Sequence, residues 1–181
     1  MPGGHRVDNP CMFTLLPRVG VELPCGAGTL RFGMSEREAQ WSVSTLADVR
    51  EGWVCGWGWT FEARYGDLTI SACGGGLPGE PGLEEIGFGR QGDPVPATPG
   101  DVPVVWHDID LFGYPIPEVE EALAAFHPHP ELPLQELGLR LDRPVVTAGP
   151  PGAAPRHPAT EPRYLVAARL SHPARHRSPV R

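Results

Sequence analysis

The chain of 181 residues contains no lysine, so all 15 of its basic residues are arginine, and asparagine occurs only once, at Asn9. Lysine and asparagine have AT-rich codons, so their scarcity indicates a GC-rich genome. No segment approaches the roughly 20 apolar residues of a membrane helix. The apolar stretch from Met12 to Leu16 is too short for a signal peptide and ends at Pro17 and Arg18. We therefore expect a cytoplasmic protein with no membrane association and with reduced cysteine thiols.

Sequence motifs for known chemistries are also few. The four cysteines, Cys11, Cys25, Cys55 and Cys73, contain no C-x-x-C pair and have no zinc-like spacing. No serine lies in a G-x-S-x-G elbow, and no Ser or Cys is tied to a base by its spacing. Residues 87–92 match G-x-G-x-x-G, but the prolines that follow prevent the helix that a dinucleotide site needs. We interpret this match as a turn and expect no cofactor.

Histidine and acidic residues cluster twice, at residues 107–110 and at residues 127–131. In the strand predicted over the first cluster, His107 points away from Asp108 and Asp110, which separates the possible ligands. The second cluster lies in a proline-rich loop and offers only local ligands. We therefore expect no metal site.

Charge and turn-forming residues are unevenly distributed. The 23 glycines and 23 prolines are about twice the usual share, which predicts many turns and few, short helices. Residues 1–142 hold 8 Arg and 21 Asp or Glu, a net charge of −13, whereas residues 143–181 hold 7 Arg and one Glu, a net charge of +6. The acidic part favours a basic partner or simple solubility. The scattered arginines of the basic part, without aromatic residues between them, argue against nucleic-acid binding.

The clearest structural signal is the alternation in Trp53–Tyr65, where every odd position is apolar or aromatic. It predicts a long strand with one buried face. Gly66 and Asp67 form a two-residue turn, after which the chain returns as a second strand. The predicted pairs are Tyr65 with Leu68, Ala63 with Ile70, Phe61 with Ala72, and Thr60 with Cys73.

The aromatic face of the first strand carries Trp53, Trp57 and Trp59, and we interpret it as a wall of the core. A ligand platform is the alternative. Cys55 lies on the same face, where we expect it to be a small buried residue. Cys73 faces the other way, so the predicted register allows no disulfide between these two cysteines.

Further elements follow from capping and periodicity. Ser35 and Glu38 form a capping box, which predicts a helix from Glu36 to about Val49 with a stripe of Ala39, Val43 and Leu46, and Trp41 on a flanking face. Other predicted elements are strands over Gly28–Met34, Leu83–Phe88, Val104–Leu111 and Leu137–Leu141, and a second helix from Pro117 to Phe126.

Together these elements predict an α+β fold, an antiparallel sheet of about five or six strands with two short helices on one face. The predicted domain covers residues 19–142, after an irregular leader over residues 1–18. Residues 143–181 are predicted to be a mostly disordered extension rich in proline and arginine. Residues 164–170, the one apolar run in that extension, are either an edge strand that docks on the sheet or an isolated patch.

The segments Gly28–Glu38 (GTLRFGMSERE) and Asp110–Pro115 (DLFGYP), with the helix from Glu118, resemble a loose family of small proteins from high-GC bacteria. Most members are uncharacterised, and some resemble immunity proteins of bacterial toxin systems. The resemblance covers about residues 26–126, and its motifs are strand-to-helix turns without a reactive group. It implies a binding role.

We predict a non-catalytic, acidic protein-binding module, of the immunity or inhibitor kind. The alternative is a small enzyme or ligand-binding domain with a cleft that the sequence does not reveal, since catalytic carboxylates can assemble from distant positions. The candidate partner-binding residues are exposed acids on a strand and near a helix start: Asp108, Asp110, Glu118, Glu120 and Glu121.

Overall fold

The computed structural model describes residues 11–52, 58–75, 82–92, 95–126, 134–144 and 162–172. These residues form two α-helices and two sheets, one of five and one of six strands. The α+β class predicted from the sequence is therefore confirmed. The strands are divided between two sheets, and buried apolar residues of both sheets form one core.

In chain order the strands are β1 (Phe13–Leu16), β2 (Gly20–Leu23), β3 (Gly28–Arg31), β4 (Val49–Gly52), β5 (Trp59–Tyr65), β6 (Leu68–Gly74), β7 (Leu83–Arg90), β8 (Val104–Trp106), β9 (Ile109–Asp110), β10 (Leu139–Asp142) and β11 (Ala167–Ser171). The helices are α1 (Glu36–Ser44) and α2 (Ile116–Phe126). The first sheet has the order β3-β2-β1-β8-β9, and the second has the order β10-β11-β7-β6-β5-β4. Strands β1 and β8 are parallel, and the other neighbouring strands are antiparallel.

Strand β1 is the centre of the first sheet, between β2 and β8. Its Phe13 and Leu15 are buried, and the Phe13 ring meets Tyr65 and Phe88 of the second sheet at centroid distances of 5.5 and 4.9 Å. The prediction of an irregular leader over residues 1–18 is therefore wrong for β1. A strand of four residues offers too few alternating positions to be recognised from its own sequence.

The register predicted for the β5–β6 hairpin is confirmed. The strands pair from Tyr65 opposite Leu68 to Thr60 opposite Cys73. Gly66 has a φ of +60°, which the first position of this two-residue turn requires. One face of the hairpin is buried in its middle, at Phe61, Ala63, Leu68, Ile70 and Ala72, and partly buried at Trp59 and Tyr65.

Trp59 and Phe61 follow the predicted aromatic face. Their rings stack with centroids 6.0 Å apart, Phe61 is fully buried, and Trp59 packs against the core. These two residues form a wall of the core, as the sequence predicts. Trp53, Cys55 and Trp57 lie outside the described residues.

The single strand predicted over Val104–Leu111 is wrong. The chain turns at His107 and Asp108, whose φ values are +46° and +68°, and forms the short antiparallel pair β8–β9. Two consecutive residues with positive φ are typical of a type I′ hairpin turn. His and Asp tolerate this left-handed region better than most residues, so the turn forms without glycine. Consequently Asp108 and Asp110 do not share a strand face.

Helix α1 begins at the predicted capping box. The Ser35 hydroxyl accepts from the Glu38 N–H at 3.4 Å, and the Glu38 carboxylate accepts from the Ser35 hydroxyl and N–H at 2.7 and 2.9 Å. Both hydrogen bonds from Ser35 lower the pKa of Glu38, and the bond from the hydroxyl has the larger effect. The helix ends before the predicted Val49, because Val49 begins β4 opposite Ala63.

The two helices pack on different parts of the fold. Helix α1 lies against β3, β4 and β5 and buries Ala39 and Val43 of the predicted stripe. Helix α2 lies against β9 and buries Val119 and Leu123. It begins at Ile116, whose N–H donates to the Arg163 carbonyl at 2.8 Å. The two helices thus contact opposite edge strands of the first sheet, β3 and β9, and α1 also contacts the second sheet.

Strand β11 brings the C-terminal part of the chain into the second sheet. It lies between β10 and β7, with Ala168 and Leu170 fully buried. The apolar run over residues 164–170 thus docks on the sheet, which is one of the two predicted alternatives. It provides an interior strand, and the prediction of an edge strand is wrong. The sheet consequently extends beyond the domain boundary predicted at residue 142. Residues 145–161 and 173–181 lie outside the described residues.

Arg90, at the end of β7, holds the proline-rich connection that leads to β8. Its side chain is only 8% exposed, and its Nε lies 3.7 Å from Asp67 Oδ2. Its two terminal nitrogens donate to backbone carbonyls of the connection, those of Thr98 at 2.7 Å and Pro99 at 3.1 Å. One guanidinium therefore replaces the backbone pairing that a proline-rich segment lacks.

Asp67, in the β5–β6 turn, binds the same connection from its other end. Its two carboxylate oxygens accept from the N–H groups of Asp101 and Val102 at 3.1 and 3.2 Å. Asp67 and Arg90 thus attach the connection between the sheets to the second sheet.

A disulfide joins Cys11 to Cys25, with their Cα atoms 4.7 Å apart. Thr14 stands opposite Glu22 in the β1–β2 hairpin. The same register, continued outward, places Cys11 opposite Cys25. Both cysteines are exposed. The sequence does not predict this pair, because the hairpin that brings the two residues together is not recognised in it.

We expect Asp67→Ala to destabilise the protein by about 2 to 3 kcal/mol, because it leaves a buried guanidinium without its anion and two N–H groups without acceptors. Urea unfolding at 25 °C measures the change. Asp101→Ala is the matched control, since it keeps the backbone N–H that Asp67 binds, and it should change stability by less than about 0.5 kcal/mol. Equal losses in both variants would show that the Asp67 carboxylate is not what holds the connection.

Reduction of the Cys11–Cys25 disulfide should cost about 3 kcal/mol, the loop-closure value for a loop of about 15 residues. Thermal melting with and without dithiothreitol measures it as a lower midpoint in the reduced protein. The double variant Cys11→Ser/Cys25→Ser should melt with the reduced protein and show no response to dithiothreitol. If dithiothreitol still lowers the melting midpoint of this variant, the stability lost on reduction does not come from the Cys11–Cys25 disulfide.

Candidate partner-binding surface

The five predicted acidic residues lie on two neighbouring parts of the fold. Asp108 is exposed at the tip of the β8–β9 turn, and Asp110 is the last residue of β9. Glu118, Glu120 and Glu121 are exposed on the first two turns of α2, where the positive end of the helix dipole favours them. Because α2 packs against β9, both groups border the same corner of the first sheet.

The carboxylate of Asp110 is engaged within the fold. Its Oδ1 accepts from the Phe112 N–H at 3.1 Å and from the Val104 N–H at 3.4 Å. Its Oδ2 occupies the space that a Cβ on Gly113 would need. Asp110 therefore fixes the turn that follows β9, and it is a poor candidate for binding a partner.

The other four acids differ in their ion pairs. Glu120 pairs with Arg143 at the end of the β10 segment. Among the residues that the structure describes, Asp108, Glu118 and Glu121 form no ion pair. These three carboxylates remain available to a basic partner.

Tyr114 is an exposed aromatic residue between the two acidic groups, and the sequence analysis did not select it. It lies in the link from β9 to α2, and 54% of it is exposed. Pro115 directly after it accepts from two N–H groups of the first helical turn, which fixes the start of the helix. The DLFGYP segment was interpreted only as a turn, and a tyrosine beside acidic residues was the signal for a contact surface. We call Asp108, Tyr114, Glu118 and Glu121 the acidic edge.

A second exposed aromatic residue, Trp41, lies on α1. It is 68% exposed and borders a shallow depression of about 490 Å³ that also contacts Ala27, Met34, Arg37 and Thr45. The predicted flanking position of Trp41 is therefore on the solvent side of the helix. The depression is lined by few charged groups and lies on a different part of the chain from the acidic edge.

The described residues contain no group of three or more His, Cys, Asp or Glu side chains placed to hold a metal ion. The cluster at residues 127–131 lies entirely outside them. Residues Gly87 to Arg90 belong to β7, so the turn predicted for residues 87–92 begins only at Gln91. No helix in the described part of the chain is long and apolar enough to cross a membrane.

Comparison with known proteins gives no relative. No protein-family model matches the sequence. Searches of curated proteins and of solved structures likewise found no similar protein.

Proposed function

We propose that the protein is a non-catalytic acidic module that binds another protein through the acidic edge. The observation that carries this proposal is the exposure of Tyr114 in the link between β9 and α2, two elements whose exposed acids Asp108, Glu118 and Glu121 form no ion pair in the described part of the chain. Tyrosine supplies large contact area at protein interfaces and is frequent among the residues that dominate binding energy. Unpaired carboxylates around it attract a basic partner and exclude an acidic one.

The resemblance to immunity-like proteins supports a more specific class. The DLFGYP segment that carries part of this resemblance contains Tyr114 and leads into the helix with Glu118 and Glu121. An immunity or inhibitor protein acts by occupying a surface of its target, so it needs exposed contact residues and no reactive group. The acidic edge has this composition.

We expect the acidic edge to govern both affinity and association rate for the partner. A protein captured by the wild-type chain from an extract of the native host should be lost with Asp108→Asn/Glu118→Gln/Glu121→Gln. Tyr114→Ala should weaken binding by about tenfold or more, as truncation of a central aromatic residue does. Surface plasmon resonance of the purified pair should show that added salt slows association steeply and changes dissociation less.

Trp41→Ala is the matched control, because it removes the other exposed aromatic residue without changing charge. It should retain the partner at wild-type affinity. Loss of the partner with Trp41→Ala and not with the acidic-edge variants would transfer binding to α1. Turnover in a substrate screen that one of the carboxylates abolishes, with no captured partner, would favour the enzyme alternative.

We also propose the cytoplasm as the compartment, on the sequence argument alone. The Cys11–Cys25 disulfide makes this proposal testable, because the cytoplasm keeps such pairs reduced and oxidising compartments preserve them. In host cells quenched with acid and alkylated with a maleimide, a cytoplasmic protein should carry the label at both cysteines. Labelling that appears only after reduction would place the protein in an oxidising compartment.

A further inference from the structure

The second sheet has an open face whose charges differ from those of the acidic body. One face of the sheet covers the core, and the residues between the buried ones point to the other face. The middle row of this open face crosses all six strands from β10 to β4 in the order Arg140, Arg169, Gly87, Ser71, Glu62 and Arg50. Three arginines and one glutamate thus lie in one row, although residues 1–142 as a whole are strongly acidic.

A trough of about 320 Å³ occupies the middle of this face, and we name it the sheet trough. Gly87 and Gly89 form its floor, and the sheet trough is bordered by the Ser71 hydroxyl, Glu62 on one side and Arg169 on the other. A Cβ on Gly87 would lie 2.5 Å from the Ser71 oxygen, whereas the space above Gly89 is empty. The absence of a side chain at Gly87 therefore leaves room for the Ser71 hydroxyl. Because neither Gly87 nor Gly89 has a side chain, the middle of this face is a depression.

The Arg169 end of the sheet trough is built for an oxyanion. Arg140 and Arg169 stand directly opposite each other on neighbouring strands, an arrangement of like charges that destabilises a sheet. Both contact the single carboxylate of Asp142, at 3.3 and 3.2 Å, and their side chains are 68% and 46% exposed. One carboxylate balances only one of the two charges and few of the five N–H groups that each guanidinium carries. A second carboxylate or a phosphate would complete the pair as a bidentate partner.

The opposite end of the sheet trough is acidic. Glu62 forms no ion pair with any described residue, although Arg50 lies opposite it on β4. Glu85 also lines the trough, but it lies on β7 beside the strand of Arg169, where its carboxylate accepts from the Ser171 hydroxyl at 3.2 Å. Glu62 and Arg169 are three strand spacings apart, about 14 Å, which is the length of about four residues of extended peptide.

We propose that the sheet trough binds a small amphoteric ligand, with an oxyanion at Arg169 and Arg140 and an ammonium group at Glu62. A short peptide with both termini free is the simplest molecule with these two groups at this distance. Ser71 and Thr69 offer hydroxyl groups to its middle, and the glycine floor lets its backbone lie close to the sheet. This site is independent of the acidic edge, whose elements belong to the first sheet and to α2.

Isothermal titration of the full chain with tetra-alanine tests the site. We expect millimolar or tighter binding, weakened about tenfold by either C-terminal amidation or N-terminal acetylation of the peptide. Arg169→Gln should weaken binding of the free peptide by a similar factor and should bind the amidated peptide no worse than the wild type does. Glu62→Gln should behave in the same way toward the acetylated peptide.

The acidic-edge variant Asp108→Asn/Glu118→Gln/Glu121→Gln serves as the control and should bind the peptide at wild-type affinity, which keeps this site separate from the proposed function. All variants should melt at the wild-type temperature, because both site residues are exposed. The absence of binding at millimolar peptide would overturn the proposal. Equal affinity for the free and the capped peptides, or an Arg169→Gln effect that persists with the amidated peptide, would also overturn it.

Discussion

The contact between Asp67 and Arg90 is the constraint on which the arrangement of the molecule depends. It holds the proline-rich connection from β7 to β8, and this connection is the point where the chain passes from the second sheet to the first. The strands β8 and β9 and the helix α2 follow directly. The place of the acidic edge relative to the second sheet is therefore set by one buried guanidinium and one carboxylate, supported by the contact of Phe13 with Phe88 between the sheets.

The two sheets carry opposite kinds of polar surface. The acidic edge consists of an exposed tyrosine and of carboxylates that form no ion pair with any described residue, on the β8–β9 turn, the link to α2 and the start of α2. The open face of the second sheet instead places two arginines opposite each other. Salt screens the interactions between exposed charges more than about 10 Å apart, whereas like charges that lie close together add up to a local potential. On this separation of charge we base the two proposed binding surfaces, one for a basic macromolecule and one for a small ligand with an oxyanion.

Local patterns in the sequence predicted the elements that neighbouring residues decide. The β5–β6 register follows from Gly66 and the alternation on each side of it, and the start of α1 follows from Ser35 and Glu38. The β1 strand was harder to predict because it has only four residues, and the β11 strand because its partners β10 and β7 are distant in sequence. The turn at His107 and Asp108 was missed because it contains no glycine. That turn also decided the site, since it separated Asp108 from Asp110.

The sequence by itself determined the α+β class, the central hairpin and the acidic balance of the body, because each depends on composition or on residues close together in the chain. Only the tertiary structure decided which charges are available. In the folded protein Asp110 accepts from backbone N–H groups, and Glu120 pairs with Arg143. Folding also places Arg140 opposite Arg169 on the neighbouring strand. The physical reason is that a side chain becomes free or satisfied through partners that folding brings together, and the spacing of residues along the chain does not contain that information.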